Sequence, residues 1–423
     1  MADLPRTSTN HPSTTSSHPR ASPSGSTSTH PASPTSTPRT LRIGTRSSAL
    51  ALAQVALFTD LLRTSHPTLS TTTHPTSTSL GDTNKSTDLH TLASTGKSLW
   101  TEDLEQELRE RRVDVIVHSL KDVPTKLPPG CVCAAVGARE EARDAVVMSA
   151  ARRGEGWRGL GDLREGGVVG TCSVRRAAMI RRTYPHLVIK DVRGNVGTRI
   201  RKLDDAAGGF DALVLAGAGV QRLGMGERIS GWLGSEEGVL YAVGQGAIGV
   251  EWREGDEWIE GILAEAEERV GKAGRRVRWE CVGERSLLRV LEGGCSVPVG
   301  VECVWEEGGL QEGGLQEGDG RGTDAVVEQA DKHHNGYEQD DALPEGPDPE
   351  RKGYGGILIM RAMVVSLDGK ECVEGTRRHY VSSDAEAEEC GWRMAQELVE
   401  KGAGEILKKI TLNRDMIRGQ DGA

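Results

Sequence analysis

The stretch Val113-Asp114-Val115-Ile116-Val117-His118-Ser119-Leu120-Lys121-Asp122-Val123-Pro124 decides the fold class. Residues 113–117 form a β-branched run of strand length, and its end delivers His118, Ser119, Lys121 and Asp122 to a loop closed by Pro124. Functional groups at the carboxyl end of a strand are where open α/β sheets bind ligands. Asp122 is the best acid–base candidate of the group. A carboxylate beside a lysine and near arginines stays ionised and can stabilise a cation forming on a substrate. The plainer reading of the same residues is an ordinary Lys-Asp turn.

Working outward, the alternation of strand and helix repeats. Residues 41–46 read as a short strand running into Ser47-Ser48 and an apolar-periodic helix from 49 to about 62, with serine as N-cap at a natural anion site. A second helix reads over 101–111. Beyond Asp144 another unit holds strands at 168–170, 187–189 and 212–215, with a helix after Ser173, and such alternation predicts a parallel-rich sheet. Residues 241–250 read as a crossing back toward the first unit. A last unit contains a helix at 281–291, strands at 297–304 and 357–366, and a final helix at 385–401. The expected architecture is therefore α/β with three domains, the first two parallel-rich mixed sheets and the third a small α+β domain. Domain 1 takes 40–138 plus 239–258, domain 2 takes 139–238, and domain 3 takes 262–305 plus 356–417.

Two segments stand outside that plan. Residues 1–39 are rich in Ser, Thr and Pro, with Arg6, Arg20 and Arg39 and a single acid, Asp3. A composition rich in arginine and serine and poor in acids suits a transit segment. Repeated prolines oppose the amphipathic helix that segment would form, so a disordered tail is expected. Residues 306–355 carry a glycine-rich near-repeat and then many acids with almost no large apolar side chains, which predicts a disordered insertion between two strands. From Glu306 to Lys352 there are 14 acids and 4 bases, a balance of −10 that equals the formal charge of the whole 423-residue chain. The remainder is neutral overall, so a local basic site is allowed.

The eight cysteines show no C-x-x-C pair, which fits a reducing compartment, and no metal site is expected. No apolar run approaches the roughly 18 residues of a membrane helix. Aromatics are only 4%, with no basic stripe between them, which argues against nucleic acid.

Three arginine clusters lie beside glycine or small polar residues: Gly170-Thr171-Cys172-Ser173-Val174-Arg175-Arg176, Asp191-Val192-Arg193-Gly194-Asn195-Val196-Gly197-Thr198-Arg199, and Ala216-Gly217-Ala218-Gly219-Val220-Gln221-Arg222. Arginine suits bidentate recognition of carboxylate or phosphate. Adjacent arginines at a helix start repel each other and the helix dipole, and a ligand with several carboxylates would relieve that strain. All three clusters fall at predicted strand ends of one sheet. Gly217-x-Gly219 lacks the third glycine of a dinucleotide fingerprint, so no such cofactor is expected. The segment Leu291-Glu292-Gly293-Gly294-Cys295-Ser296-Val297-Pro298 holds one cysteine on a glycine turn. It reads either as a nucleophile for covalent attachment or as a buried small hydrophobe beside a turn.

Taken together, these pieces resemble the porphobilinogen deaminase (hydroxymethylbilane synthase) family. The resemblance rests on Gly44-Thr45-Arg46-Ser47-Ser48-Ala49-Leu50-Ala51, residues 117–124, Arg193-Gly194-Asn195-Val196-Gly197-Thr198-Arg199, Ala242-Val243-Gly244-Gln245-Gly246-Ala247, and Leu291-Glu292-Gly293-Gly294-Cys295. It implies that the first two domains are similar to periplasmic-binding-protein lobes. It implies a covalent dipyrromethane cofactor on Cys295, to which porphobilinogen units are added head to tail with loss of ammonia, four of them being released as hydroxymethylbilane. By the same resemblance Asp122 protonates the departing amine and steadies positive charge on the pyrroles. Arg46, Arg175, Arg176, Arg193, Arg199 and Arg222 bind acetate and propionate groups, and Ser48, Gln54, Ser119, Lys121 and Ser173 match further polar positions. Lys97 and Trp100 belong to a mobile loop, which here reads Ser94-Thr95-Gly96-Lys97-Ser98-Leu99-Trp100 and lacks one of the family's glycines. Arg139-Glu140-Glu141-Ala142-Arg143-Asp144 departs from the family's pattern at the hinge into the second domain, and residues 70–79 are unusually Ser/Thr-rich for a core strand. The expectation is a cytoplasmic, monomeric transferase of tetrapyrrole biosynthesis without metal, membrane or nucleic-acid partner. The rival is a non-catalytic anion-binding protein on the same two-lobed scaffold.

Overall fold

The computed structural model describes residues 39–76, 101–291, 297–306 and 354–411. The expected tail, the mobile-loop residues Lys97 and Trp100, Cys295, and nearly all of the acidic insertion lie outside the described residues.

The first sheet contains β1 (Leu41–Arg46), β2 (Thr71–Thr76), β3 (Val115–Ser119), β4 (Cys131–Val136) and β10 (Ile248–Arg253), in the order β2-β1-β3-β10-β4. β1 runs parallel to β2 and β3, and β10 is antiparallel to both of its neighbours. The second sheet contains β5 (Asp144–Met148), β6 (Val168–Gly170), β7 (Val188–Lys190), β8 (Ala212–Ala216) and β9 (Gly231–Leu233), in the order β7-β6-β8-β5-β9. It repeats the same parallel and antiparallel pattern. In each sheet the fourth position is filled by a strand that has just arrived from the other lobe. Two segments, residues 137–143 and 234–247, make those crossings.

Burial explains which strand goes where. β3 is buried along nearly all of its length, as a strand packed on both faces should be, and its Val-Ile-Val run supplies that packing. β2 is an edge strand whose central residues are exposed, so its run of threonines and Pro75 suits its position. The described part of the Ser/Thr-rich stretch, residues 70–76, is thus an edge rather than a weakly packed core.

Helix α1 (Ala49–Ser65) is capped by Ser48, whose hydroxyl accepts from the Ala51 N–H at 3.3 Å. It lays Val55, Phe58 and Leu62 against Leu41, Ile43, Val115 and Val117, each side chain contributing about 1.5–3 kcal/mol of apolar burial. Short α2 (Glu102–Arg109) buries Leu104 and Leu108 on the other face, and ends before Arg111, which adopts φ 60°. The second lobe carries α3 (Ala150–Gly154), α4 (Val174–Thr183), α5 (Val196–Asp204) and α6 (Gly217–Arg222).

The last part begins differently from expectation. α7 (Glu257–Val270) places Ile259, Ile262, Leu263 and Ala266 in the core of the first lobe, so the expected boundary at 262 falls within a helix belonging to that lobe. Gly271, at φ 66°, separates it from α8 (Lys272–Val290), which starts nine residues earlier than the expected helix at 281. An antiparallel sheet β11 (Val299–Trp305), β12 (Gly356–Val365), β13 (Cys372–Val381) packs under α8 and α9 (Asp384–Glu400). The two helices touch backbone to backbone: a Cβ on Gly391 would lie 1.9 Å from the Gly283 carbonyl oxygen. This third sheet also sends Met363 and Val365 into the core of the second lobe, beside Met179 and Leu240.

Candidate active site

β3 hands its end to a 3-10 turn, Leu120–Asp122. Ser119 Oγ accepts from the buried Gln54 Nε2 at 2.8 Å, which ties the strand end to α1. Leu120 is buried, Lys121 half-buried and Asp122 exposed. The Leu120 N–H donates to the Ala247 carbonyl on the returning crossing segment at 3.1 Å. Close approach is possible because Gly244 and Gly246 have no side chains. With φ of +72° and +86°, their Cβ atoms would sit 3.0 Å from Leu120 Cγ and 2.2 Å from the Glu140 carbonyl oxygen.

Between those glycines Gln245 is fully buried and joins both lobes. Its Oε1 accepts from Lys121 Nζ at 3.2 Å and Arg176 Nη2 at 3.5 Å, and its Nε2 donates to the Ala142 carbonyl at 2.6 Å and to Asp144 Oδ1 at 2.8 Å. Asp144, at the start of β5, is 0% exposed. It accepts from Arg175 Nη1 and Arg176 Nη2, each at 2.8 Å, and both arginines are only 5% exposed in the first turn of α4. Burial by itself would raise the Asp144 carboxyl, but the Arg175 and Arg176 guanidiniums outweigh it and hold the group well below the usual carboxylate range. The strain of adjacent arginines at a helix start is therefore relieved in part by the protein's own carboxylate, where the sequence suggested a ligand alone.

Lys121 feels the opposite balance. Withdrawal from water pulls its ammonium down to about 8, with Asp122 and Asp144 opposing and Arg176 and Arg175 assisting. Burial likewise lowers Arg222, whose Nη2 donates to the Gly246 carbonyl at 2.7 Å. The network thus gathers three cations, Lys121, Arg175 and Arg176, around one buried anion, and Arg222 joins it through the Gly246 carbonyl. The Nε atoms of Arg176 and Arg222 are buried with no hydrogen-bond partner. Other arginines of the protein share this feature, so it is the excess of cations over the single Asp144 carboxylate that fits a ligand with several carboxylates.

The other expected residues stand at neighbouring strand ends. Arg46 closes β1. Arg193 and Arg199 flank the turn after β7, where Asn195 caps α5 and Arg199 Nε donates to the Gly194 carbonyl at 2.6 Å. Ser48 and Ser173 are the N-caps of α1 and α4, and Ser173 Oγ accepts from the Arg176 N–H. Gly217 serves packing: a Cβ there would lie 2.1 Å from the Trp232 ring. Asp144 and Gln245 were not singled out from the sequence. The signals were there: Gln245 stands between two glycines in the Ala242–Ala247 family motif, and Asp144 ends the Arg139–Asp144 hinge segment.

Behind the network Arg139 joins the crossing segments to α8. It pairs with Glu280 at 2.9 Å and Glu284 at 2.7 Å, and its Nε donates to the Gln245 carbonyl. Six cysteines are held as thiols by burial: Cys131 is pushed up to about 11, Cys133 and Cys390 to about 12, and Cys281, Cys303 and Cys372 are also raised. Among the described residues no cluster of His, Cys, Asp and Glu could hold a metal, and no helix is long and apolar enough to cross a membrane.

Two α/β lobes that exchange a strand, with cations of both lobes meeting at the exchange, define a two-lobed α/β protein with its site at the crossover. Residues 41–261 match the model of the porphobilinogen deaminase dipyromethane cofactor binding domain, and residues 279–319 match that of the porphobilinogen deaminase C-terminal domain. The chain belongs to the porphobilinogen deaminase family. It is 41% identical over 380 residues to the porphobilinogen deaminase of Neurospora crassa, covering 89% of this chain and 95% of that one. Identity is 39% over 375 residues with that of Yarrowia lipolytica, covering 88% and 93%. With that of a Synechococcus species it is 37% over 374 residues, covering 88% and 97%. Similar solved structures include a probable amino-acid ABC transporter extracellular-binding protein from Bacillus subtilis, at TM-score 0.35 and 13% identity over 57% of this chain and 96% of that one.

Proposed function

We propose that this chain is a hydroxymethylbilane synthase, a transferase that condenses four porphobilinogen molecules head to tail with release of ammonia and frees hydroxymethylbilane by hydrolysis. Family membership over most of the chain favours this over a non-catalytic anion-binding protein. The structural observation that carries the reading is the meeting of Lys121, Arg175 and Arg176 around Asp144 and Gln245, with Arg222 on the adjoining Gly246 carbonyl.

A dipyrromethane cofactor, attached through a thioether to Cys295, would supply the nucleophilic pyrrole carbon. Arg175, Arg176 and Lys121 would hold its carboxylates. Arg46, Arg193, Arg199 and Arg222 bind the acetate and propionate groups of substrate and growing chain. Ser48, Gln54, Ser119 and Ser173 orient the strand ends that carry these charges. Asp122, exposed at the turn, takes up the proton that the attacked pyrrole carbon loses in one condensation and gives it to the departing amine of the next, which leaves as ammonia, and its carboxylate then faces the positive charge left on the substrate pyrrole. Six thiols raised by burial make poor nucleophiles, which leaves Cys172 and Cys295, and the match of residues 291–295 to the family motif favours Cys295 as the attachment point. Lys97 and Trp100 belong to a loop that closes over the site.

Domain 1 comprises 40–138 and 239–258, extended by α7; domain 2 comprises 139–238; domain 3 comprises the remainder to 417 apart from the insertion 306–355. The enzyme acts as a cytoplasmic monomer. Intact-protein mass spectrometry tests the core of the reading: the wild type should carry a dipyrromethane adduct, and Cys295→Ser should lose it. An adduct that survives the substitution overturns the attachment site.

A further inference from the structure

The Asp122 turn is held from two sides. On one side lie the Ala247 carbonyl, which receives the Leu120 N–H, and the Gly244 backbone, packed against Leu120 and Lys121. On the other lies α8. Its half-buried Arg285 spends two guanidinium nitrogens on the carbonyls that immediately follow Asp122: Nη1 donates to Val123 O at 3.1 Å and Nη2 to Pro124 O at 2.6 Å. One turn away on the same helix Cys281 packs against Leu120, Val123 and Ala247. Glu284 accepts from the Gly244 N–H at 2.7 Å. A single face of α8 thus grips the turn at Arg285 and the Gly-Gln-Gly bend at Glu284.

From this we infer that Arg285 is a positioning residue for the reaction, fixing the direction in which the Asp122 carboxylate is presented. The inference rests on the reading of Asp122 as the acid–base residue. The carbonyls of Val123 and Pro124 lie one and two residues past Asp122, and proline at 124 has no N–H with which to tie the chain down. Arginine fits because one planar fork reaches both carbonyls, whereas a lysine ammonium is a single point. A misplacement of about 1 Å at a reacting group can slow a reaction on the order of a hundredfold, so two lost hydrogen bonds here act on rate and leave affinity alone.

The experiment compares Arg285→Met, which keeps the apolar stem, Arg285→Lys, Asp122→Asn, and the double variant Asp122→Asn with Arg285→Met, each as cofactor-loaded enzyme verified by intact mass. Arg285→Met should lower kcat on the order of ten- to a hundredfold with KM changed by less than about twofold, and Arg285→Lys should recover part of the loss. In the Asp122→Asn background the added Arg285→Met should change kcat by less than about twofold, because a residue acting through Asp122 has nothing left to position. If Arg285→Met does not fold, the Lys variant alone and in the Asn background carries the same comparison. A loaded Arg285 variant with wild-type kcat overturns the inference, as does a loss of equal size in the presence and absence of Asp122. An Asp122→Asn enzyme of normal kcat would instead overturn the reading of Asp122 itself.

Discussion

Asp144 sets the electrostatics of the site: it is one carboxylate answering two guanidiniums away from water. Asp144→Asn keeps the shape and removes the charge, and breaking a buried ion pair from one side costs about 3–5 kcal/mol. Urea unfolding of the variant should show a loss of that order; an unchanged midpoint would mean that the arginines find another anion. Because the folded carboxyl lies below its unfolded value of about 3.9, its stabilisation is fully present above that pH and is lost as pH falls through the depressed value. Wild-type stability should therefore fall more steeply in acid than that of the Asn variant. Lys121 works the other way. Its folded value of about 8 lies below the unfolded 10.4, so between these the unfolded chain binds more protons and stability rises with pH. At neutral pH its charge costs stability, and Lys121→Met should raise the thermal midpoint of the cofactor-free protein at pH 7 while lowering the fraction that carries the cofactor by intact mass, the usual trade at a functional site. Lys121, Asp122 and the arginines were legible because each sits in a local pattern at a strand end. Asp144 and Gln245 were not, since the partners are 31 to 124 residues apart in sequence and only the fold brings them together.

The Gly244-Gln245-Gly246 bend is the element that lets the returning segment pass between the lobes. At Gly246 an alanine meets both a left-handed backbone and the Glu140 carbonyl, 2.2 Å from its Cβ. Each conflict is of order 1–2 kcal/mol or more, and relief requires shifting Gln245. Gly246→Ala should lower the urea midpoint and also reduce kcat, whereas a fall in stability with normal kcat would separate the bend from the site. Other elements show what sequence pattern can carry. β1, α1, β3 and α4 were legible because burial, capping and periodicity agree in them. β13 was hidden by Glu374, Arg377 and Arg378, which reflect a sheet with a solvated face. The start of α8 was hidden because Lys272, Arg275, Arg276 and Arg278 lack an apolar stripe; tertiary partners hold that end, Arg278 reaching Asp384 and Glu267. The arginines after β6, β7 and β8 do belong to one sheet, since those strands are neighbours.

At the scale of the whole molecule, the third sheet and its helices bind both lobes, through Arg285 and Cys281 to the first and Met363 and Val365 to the second. Any change in lobe separation must be accommodated at those contacts as well as at the crossings. The acidic segment enters and leaves this part at one place. The Glu306 N–H donates to the Ile357 carbonyl at 3.0 Å, and Trp305 faces Leu358 across the β11–β12 ladder. Residues 307–353 can therefore be replaced by a four-residue Gly/Ser turn without moving either strand. Loop-closure entropy changes by about 0.6 kcal/mol per doubling of length, so shortening should stabilise the fold by up to about 2 kcal/mol. The deletion also removes 13 acids and 4 bases, taking the formal charge from −10 to −1. A substrate with two carboxylates then meets less repulsion, and since the Debye length is about 10 Å at 0.1 M salt, the effect belongs to low ionic strength. The deletion variant should have a thermal midpoint no lower than that of wild type and up to a few degrees higher, keep its kcat, and show a lower KM than wild type in dilute buffer that converges with it at high salt. A near-neutral chain should also be less soluble. Loss of folding or activity at both salt concentrations would show that the segment takes part in the structure or the chemistry, and the neutral remainder of the chain would no longer account for the site.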